Sequence, residues 1–398
     1  MTKKILSIFG TRPEAIKMAP LMRALAAEPG IDSVVCITGQ HHTMLQQVLD
    51  LFDIAPDYDL AVMTQNQTLN SLTARVIEKL DKVIDREKPD RILVHGDTTS
   101  ASSAALAAFH RRIPVGHVEA GLRTYDPGHP WPEEINRRIV DTVSDLLFVP
   151  THRSAANIAA ESLQGSTIVT GNTVIDALLW MTERIDSNTA LRDSLDARFP
   201  FLDPGRQMVL VTGHRRESFG QGFADICAAL THIAQRPDVQ IVYPVHLNPN
   251  VRGPVTLALE RVPNIHLIEP QGYDGFVRLL QRATLILTDS GGVQEEAPAL
   301  GKPVLVMRDV TERPEAVQAG TALLVGTNPA TIVNAVMQLL DDAGARHAFA
   351  QRINPYGDGR ASARIVAALA GRPFDAFAPP GLRGVEVDIR PARLRASL

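Results

Sequence analysis

Short apolar segments alternate with longer amphipathic segments along most of the chain. The apolar segments are bounded by Gly, Asp or Thr and are apolar at nearly every position. Strands of this kind are buried on both faces, which is typical of parallel sheets covered by helices. The predicted strands are 5–9, 34–38, 91–95, 115–118 and 146–149, then 208–212, 240–244, 265–267, 285–288 and 304–307.

This alternation is interrupted once, at 178–204, by a charged helical stretch that ends in a Pro-rich turn. A chain of 398 residues exceeds what one hydrophobic core usually organises. The pattern therefore predicts an α/β fold of two doubly wound, Rossmann-like domains with a hinge near 170–176 and a ligand cleft between them. A further helix is predicted at 359–370. Beyond it, 373–398 reads as an extended tail whose removal should leave folding and turnover almost unchanged.

Composition narrows the classes of partner. The chain is 45% hydrophobic with a net charge of −4, so nothing suggests binding to nucleic acid or to an anionic membrane, and small-molecule partners are expected. The two cysteines, Cys36 and Cys227, lie in different halves in apolar surroundings, which fits a reducing compartment. No apolar run approaches the ~20 residues of a membrane helix. The N-terminus is interpreted as a first strand, not a signal peptide, and a cytoplasmic location is expected.

One segment has the pattern of a phosphate cradle. A strand at 285–288 is followed by Asp289, Ser290, Gly291 and Gly292 and then by a helix-forming stretch. Backbone N–H groups and the positive end of a helix dipole would meet there, which suits an anionic diphosphate. The alternative is an ordinary helix capped by Ser290.

The first predicted strand also ends in polar residues. Arg12 and Lys17 follow it, near a Pro13 that suits the first turn of a helix, and could bind a phosphate or a developing anion. They could equally be two surface cations. The G-x-G-x-x-G of a dinucleotide fold is absent, which argues against a nicotinamide cofactor.

Three carboxylates follow strands in the first half. If the loops converge, a cluster of Asp97, Glu119 and Glu133 forms beside the two cations. Like charges and partial burial would raise the pKa of at least one of these carboxyl groups, so that the cluster could remove and return a proton. Asp97 could instead cap the next helix, and Glu133 could lie in a helix first turn. Glu119 is hardest to explain structurally, because it ends an apolar strand.

In the second half, His214 follows a strand and could protonate or hydrogen-bond a leaving phosphate. Arg313 precedes a Pro that can start a helix and could bind a diphosphate bidentately, through two guanidinium N–H groups. Arg216 and Glu217 are better explained as solvated charges. No metal site is expected, since neither H-E-x-x-H nor paired C-x-x-C occurs.

Taken together, these motifs resemble those of the bacterial non-hydrolysing UDP-N-acetylglucosamine 2-epimerases over residues 4–371. The resemblance implies a GT-B-like pair of domains, a homodimer, and interconversion of UDP-N-acetylglucosamine and UDP-N-acetylmannosamine for surface polysaccharides without a cofactor. The shared segments are FGTRPEAIK at 9–17, GDTT at 96–99, HVEAGLR at 117–123, WPEE at 131–134, GNTVID at 171–176, GHRRE at 213–217, SGGVQEE at 290–296 and TERPEA at 311–316.

The resemblance also implies roles for single residues and a division into domains. Five positions match family residues that contact substrate or take part in catalysis: Arg12, Lys17, Asp97, Glu119 and His214. Seven match those that hold uridine, ribose and diphosphate: Gln271, Phe276, Ser290, Gly291, Gly292, Glu296 and Arg313. The N-terminal domain would comprise 1–170 and the returning helix 355–372, and the UDP-binding domain 173–354, followed by the tail 373–398.

A second, regulatory site for UDP-N-acetylglucosamine is known in some family members. Here Gln40, His41, Arg215 and His246 could contribute to it. Thr43 and Asn66 stand where regulated relatives carry longer polar or cationic groups, so we expect this site to be weak.

Three other functions stay open at this point. A GT-B-type glycosyltransferase with a UDP-sugar donor would share the architecture but needs an acceptor groove. A 2-epimerase of a modified UDP-2-acetamido sugar would share the chemistry. A UDP-sugar sensor would need no titratable groups at the strand ends.

Overall fold

The computed structural model describes residues 2–39, 42–64 and 67–379. Within them the chain forms two compact units. Unit 1 extends to Ala177 and resumes at Tyr356, and unit 2 is Leu178–Pro355. The chain passes from unit 1 to unit 2 within one helix, α7.

Unit 1 contains a parallel sheet of seven strands, in the order β3-β2-β1-β4-β5-β6-β7. Its strands are β1 Lys3–Phe9, β2 Ile31–Ile37, β3 Tyr58–Asp59, β4 Arg91–His95, β5 Val115–Val118, β6 Leu146–Val149 and β7 Ser166–Val169. The connecting helices are α1 Arg12–Ala26, α2 His42–Leu51, α3 Leu69–Glu87, α4 Thr99–His110, α5 Glu133–Val143, α6 His152–Ala160 and α7 Thr173–Ser187.

Unit 2 contains a parallel sheet of six strands, in the order β10-β9-β8-β11-β12-β13. Its strands are β8 Gln207–Thr212, β9 Val239–Pro244, β10 Ile265–Ile268, β11 Leu285–Thr288, β12 Val304–Val306 and β13 Ala322–Leu324. Its helices are α8 Thr189–Asp196, α9 Gln221–Ile233, α10 Pro249–Leu259, α11 Tyr273–Arg282, α12 Gly291–Ala299, α13 Pro314–Gln318, α14 Pro329–Asp341 and α15 Ala343–Ala350; the last helix of the chain, α16 Ala361–Ala370, belongs to unit 1.

Both sheets have the doubly wound topology that the sequence predicts. The winding direction reverses between β1 and β4 in unit 1 and between β8 and β11 in unit 2. In such sheets ligands bind beyond the carboxyl ends of the strands next to the reversal. Each unit therefore offers one edge where candidate site residues should be sought.

The ten predicted strands all exist, but three strands were not predicted from the sequence. The missed strands, β3, β7 and β13, lie at the edges of the sheets. They are short and only partly buried, so their sequences lack the continuous apolar pattern of the central strands. Sequence periodicity detects burial, and edge strands have less of it.

The end of the described chain packs more than the sequence predicts. Phe377 is buried against Val169 and other residues of unit 1, and its N–H donates to the Val169 carbonyl at 2.9 Å. Arg364 donates to the Asp375 carbonyl at 2.9 Å and lies 5.6 Å from the Phe377 ring. The segment up to 379 therefore packs on unit 1 and is not a loose tail, while the effect of removing 373–398 stays a prediction; residues 380–398 lie outside the described residues.

Candidate functional site

The loop between β1 and α1 leads into the helix that carries Lys17, next to the carboxyl end of β1. Glu14 and Thr11 form a capping box at the start of α1, and Glu14 accepts from the N–H groups of Gly10 and Thr11 at 2.9 and 2.7 Å. Gly10 is required here, because an added Cβ would lie 1.8 Å from Thr38 Oγ1. Arg12 is the first residue of α1, and Lys17 follows on the same helix.

Glu119 is the centre of the candidate site in unit 1. Its Oε1 accepts from Lys17 Nζ at 2.5 Å and from Asn172 Nδ2 at 2.8 Å. Its Oε2 lies 3.7 Å from His95 Nε2. Glu119, Lys17 and Asn172 come after β5, β1 and β7, and His95 is the last residue of β4. The Glu119 side chain is only 8% exposed. A carboxylate with two donors on one oxygen is strongly favoured in its ionised form.

His95 is a neutral member of this cluster. Burial lowers its pKa to about 3, and the neighbouring Glu119 offsets only part of that effect. Neither ring nitrogen of His95 has a hydrogen bond to the described residues, although the side chain is buried. At neutral pH this ring carries one N–H next to the candidate carboxylate without adding charge.

A buried ionic network supports the turns that carry Asp97 and Glu119. His117 Nε2 donates to the Gly96 carbonyl at 2.8 Å, and His117 Nδ1 lies 2.6 Å from Asp141 Oδ1. Burial alone would raise the pKa of Asp141, but His117 and Arg123 hold it below its usual range. Glu119, two residues after His117, has a φ of +70°.

Asp97 and Glu133 are placed differently from each other. Asp97 is paired with Arg137 of α5 and is 26% exposed. Its turn meets the Glu119 side chain, since a Cβ on Gly96 would lie 3.7 Å from Glu119 Oε2. Glu133 is the first residue of α5, as its structural interpretation predicts. The same helix carries Arg137, one turn later, which is the ion-pair partner of Asp97.

In unit 2, His214 is positioned by a buried aspartate that the sequence analysis did not single out. Asp289 Oδ2 accepts from the N–H groups of His214 and Arg215 at 2.7 and 2.8 Å, and Asp289 Oδ1 lies 3.2 Å from His214 Nδ1. Burial alone would raise the pKa of Asp289, but the interactions with His214 and these N–H groups hold it below its usual range. His214 and Asp289 follow β8 and β11, on either side of the winding reversal.

Two of the residues expected at a regulatory site contact this cluster. The His246 ring stacks on His214, with ring centres 5.4 Å apart and planes inclined by 20°. Burial, and to a lesser extent the electrostatic interaction with His214, lower the pKa of His246. Arg215 donates to Glu312 Oε1 at 2.8 Å. The other two residues, Gln40 and His41, lie outside the described residues.

The predicted phosphate cradle is the start of α12. Ser290 is the N-cap residue, but its side chain makes no capping hydrogen bond. The interpretation of this segment as a self-capped helix therefore lacks its main contact. A Cβ on Gly291 would lie 2.8 Å from Glu312 Oε1, whereas a Cβ on Gly292 would have nothing closer than 3.8 Å. An anion at this helix start would meet backbone donors and the positive end of the dipole.

Three further predicted binding residues lie on α12, on α11 and just before α11. Glu296 is buried one turn into α12 and accepts from the Tyr273 hydroxyl at 3.3 Å. Gln271 precedes α11 and donates to the Glu269 carbonyl at 2.6 Å. Phe276 is a partly buried residue of α11.

Arg313 is held by a protein carboxylate. Its guanidinium is ion-paired with the buried Glu295, and its N–H donates to Thr311 Oγ1 at 3.0 Å. Glu312, next to it, accepts from Arg215 and Arg308. Burial alone would raise the pKa of Glu312, but the charges of Arg215, Arg313 and Arg308 lower it to about 2. Arginines and carboxylates thus form one charged network beside α12.

The described residues, 2–39, 42–64 and 67–379, contain neither a metal-binding cluster nor a membrane-spanning helix. No group of three or more His, Cys, Asp or Glu side chains is arranged there to hold a metal ion. Every helix in the same ranges is too short or too polar to cross a lipid bilayer.

Sequence reasoning missed three residues that contact the predicted ones, namely His95, Asn172 and Asp289. All three lie at or shortly after the carboxyl ends of strands, which is the signal that singled out Glu119 and His214. Asn172 follows β7, an edge strand that the apolar pattern did not reveal. His95 is the last residue of β4 and reads as part of an apolar strand.

The chain is similar to one well-defined group of proteins. The family model described as UDP-N-acetylglucosamine 2-epimerase matches residues 23–370. The protein of that name from Escherichia coli (strain K12) is 57% identical over 368 residues, which cover 92% of this chain and 98% of that protein. The one from Campylobacter jejuni is 50% identical over 372 residues, which cover 92% and 97%.

Solved structures agree with this similarity. The crystal structure of UDP-GlcNAc 2-epimerase from Neisseria meningitidis bound to UDP-GlcNAc has a TM-score of 0.86 at 49% identity, covering 93% of this chain and all of that one. The Methanocaldococcus jannaschii enzyme in complex with UDP-GlcNAc and UDP has a TM-score of 0.77 at 34% identity, covering 92% and 99%.

Proposed function

Because the chain belongs to the UDP-N-acetylglucosamine 2-epimerase family, we propose that it interconverts UDP-N-acetylglucosamine and UDP-N-acetylmannosamine. The observation that carries this proposal within the molecule is the paired carboxylate Glu119, held by Lys17 and Asn172 at the edge of the unit 1 sheet. A buried, ionised carboxylate can take a proton from carbon. The enzyme is therefore an isomerase that needs a base and a leaving group, not an acceptor sugar.

The reaction proceeds by anti elimination and re-addition of UDP. A base removes the C2 proton, the electron pair of the C–H bond forms a C1–C2 double bond, and the C1–O bond breaks so that UDP leaves with its electrons. The intermediate is 2-acetamidoglucal. UDP then adds back to C1 while a proton is delivered to the other face of C2, and every atom is recovered.

Two carboxylates are available for the two faces of C2. Glu119 is buried and doubly hydrogen-bonded, and Asp97 is paired with Arg137 and partly exposed. We assign proton transfer to this pair, with Lys17 holding Glu119 ionised. Glu133, on the helix that carries the Arg137 partner of Asp97, is kept in the proposal as the third carboxylate.

Unit 2 supplies the groups that suit UDP. The departing UDP is an anion, and the start of α12 offers backbone N–H groups to it. His214 offers a hydrogen bond or a proton to the leaving oxygen, with Asp289 orienting the ring. Gln271, Phe276 and Glu296 are assigned to the uridine end, Ser290 to Gly292 and Arg313 to the diphosphate, and Arg12 to the sugar side of the substrate.

The direct test is incubation of the purified protein with UDP-N-acetylglucosamine alone, followed by proton NMR. UDP-N-acetylmannosamine should accumulate to an equilibrium mixture without any added cofactor or acceptor. Glu119→Gln serves as the matched control protein. Release of UDP that requires an acceptor sugar, with no epimer formed, would contradict the proposal and favour a glycosyltransferase.

The resemblance further implies a homodimer in the cytoplasm that feeds surface polysaccharide synthesis, and we include these points in the proposal. Light scattering coupled to size-exclusion chromatography tests the first of them. A mass near twice 43.3 kDa is expected. A mass near 43.3 kDa at the concentration used for the activity assay would overturn the dimer and leave the proposed reaction intact.

A further inference from the structure

The segment 171–176, which follows β7, contains Asn172, a residue to which the proposed reaction assigns no step. Asn172 is buried, and its amide bridges two parts of unit 1. Its Oδ1 accepts from Val174 N–H at 3.1 Å, and its Nδ2 donates to Glu119 Oε1 at 2.8 Å. Its backbone N–H donates to the Tyr356 carbonyl at 2.6 Å.

These contacts fix which way the amide faces. An asparagine carbonyl only accepts and its NH₂ only donates, and the backbone N–H of Val174 requires an acceptor. The donor must then point at Glu119. The backbone of Asn172 is also held in place, because the neighbouring Gly171 packs closely on Gly357: a Cβ added at Gly171 would lie 3.3 Å from Gly357 Cα. The side chain has little freedom to turn away from the carboxylate.

Lys17 and Asn172 act on the same oxygen of Glu119 in different ways. The ammonium of lysine is a point charge on a flexible chain, which favours ionisation but tolerates many carboxylate orientations. The amide of Asn172 is locked, and a hydrogen bond to an ionised acceptor is stronger than one between neutral groups. Charge therefore comes from Lys17, and direction comes from Asn172.

We propose that Asn172 is a positioning residue for the epimerisation: its amide holds the Glu119 carboxylate in one orientation and favours its ionised form. The inference rests on the proposed role of Glu119. It adds a residue that acts through Glu119 and links this candidate base to the chain around Tyr356.

The competing explanation is purely structural, namely that Asn172 only caps the start of α7 through Val174. Two substitutions separate these roles. Asn172→Ser keeps a short side-chain oxygen for Val174 and replaces the amide NH₂ that reaches Glu119 with a shorter hydroxyl. Asn172→Asp keeps the acceptor and replaces the donor with a negative charge next to Glu119. Asn188, the exposed cap of α8 that accepts from Leu191 N–H at 3.0 Å, provides matched controls in Asn188→Ser and Asn188→Asp.

The measurements are kcat, KM and the pH profile of kcat/KM for UDP-N-acetylglucosamine. Asn172→Ser should lower kcat roughly tenfold or more with little change in KM, because an oriented base acts in the transition state. Asn172→Asp should lower kcat further and move the acidic limb of the profile upward by about one pH unit, because a like charge disfavours a second ionised carboxylate. The Asn188 variants should match the parent protein in all three quantities.

A folding measurement keeps the inference testable if Asn172→Asp is unstable. In the double variant Glu119→Gln with Asn172→Asp, the amide and the carboxylate exchange places, so the donor–acceptor pair is restored. The melting temperature lost in Asn172→Asp should be largely recovered. If Asn172→Asp destabilises the parent protein and the Glu119→Gln variant equally, the positioning bond is overturned.

The possible failures are distinct. A parent protein that forms no UDP-N-acetylmannosamine refutes the proposed function. A parent protein that epimerises, with an Asn172→Asp variant that keeps the parent pH profile and kcat, overturns only the inference about Asn172.

Discussion

The candidate sites of units 1 and 2 lie at equivalent places in their sheets but are built differently. In unit 1, buried side chains face each other: Glu119 is bound by Lys17 and Asn172 beside a neutral His95. In unit 2, the buried Asp289 organises backbone N–H groups and holds His214, whose side chain is 39% exposed. One fold thus supports two kinds of site at the same edge.

The difference between the two sites separates chemistry from recognition. A titratable group that must move a proton benefits from burial and fixed partners, because both determine its protonation state. A diphosphate needs positive potential and donors, which a helix start provides without any titrating group. Substitutions in unit 1 should therefore change kcat, and substitutions in unit 2 should act more on binding and on departure of UDP.

The largest effect is expected at Glu119. Glu119→Gln keeps the size of the side chain but removes its basicity, so kcat should fall by about 10²–10⁴ with KM nearly unchanged. Asp97→Asn should give a fall in the same range if it serves the other face of C2. Steady-state kinetics and a urea unfolding curve for each variant separate lost chemistry from lost folding. Parent-level kcat in both variants would overturn the assignment of Glu119 and Asp97 as the groups that move the proton.

A smaller effect on kcat is expected at Asp289. Asp289→Asn can still accept from His214 and Arg215 N–H groups but loses the charge beside the imidazole. We expect kcat to fall about 10–100-fold, because the ring is less well oriented and less able to carry a proton. Binding of UDP alone, measured by calorimetry, should change by less than about threefold, since the helix start that suits the diphosphate is unaltered. A larger loss of UDP affinity than of kcat would show that Asp289 serves recognition.

These two sites show how much of the fold and of the candidate sites can be predicted from the sequence. The central strands, their order of appearance and the residues that end them follow from the apolar pattern, because complete burial leaves a continuous apolar run. The partner of Glu119 in the edge-strand segment does not follow, since β7 is short and half-buried. The pairing of His214 with Asp289 requires knowledge that β8 and β11 are neighbours, which is a tertiary fact.

The packing of the chain end against unit 1 offers a test of stability. Phe377 is buried against Val169, the last residue of β7, whereas Phe374 is 36% exposed. Phe377→Ala should lower the free energy of unfolding by about 3 kcal/mol, since an aromatic side chain leaves a cavity. Phe374→Ala is the control and should cost well under half of that. Equal losses in urea unfolding would mean that burial of Phe377 is not what stabilises this segment.

The smallest effect concerns the charged network of unit 2. The pKa of Glu312 in the folded protein is about 2, lower than in an unfolded chain, so its ionised form stabilises the fold above about pH 4.3. That contribution is lost as pH falls from about 4.3 towards 2. Glu312→Gln should cost roughly 1–2 kcal/mol at about pH 6. The difference between the two proteins should shrink at about pH 3.

Urea unfolding of both proteins at these two pH values measures this difference. A cost that is the same at both would mean that the arginines around Glu312 do not stabilise its charge.

The central claim is that a side chain of this protein, and no cofactor, moves the C2 proton. Turnover in deuterated water tests it most directly, because a proton held on a carboxylate exchanges with solvent whereas a hydride transferred to a cofactor and back does not. The account predicts deuterium at C2 of the epimerised sugar and at no other carbon, detected by NMR. Epimerised product that contains no solvent deuterium would contradict the elimination mechanism.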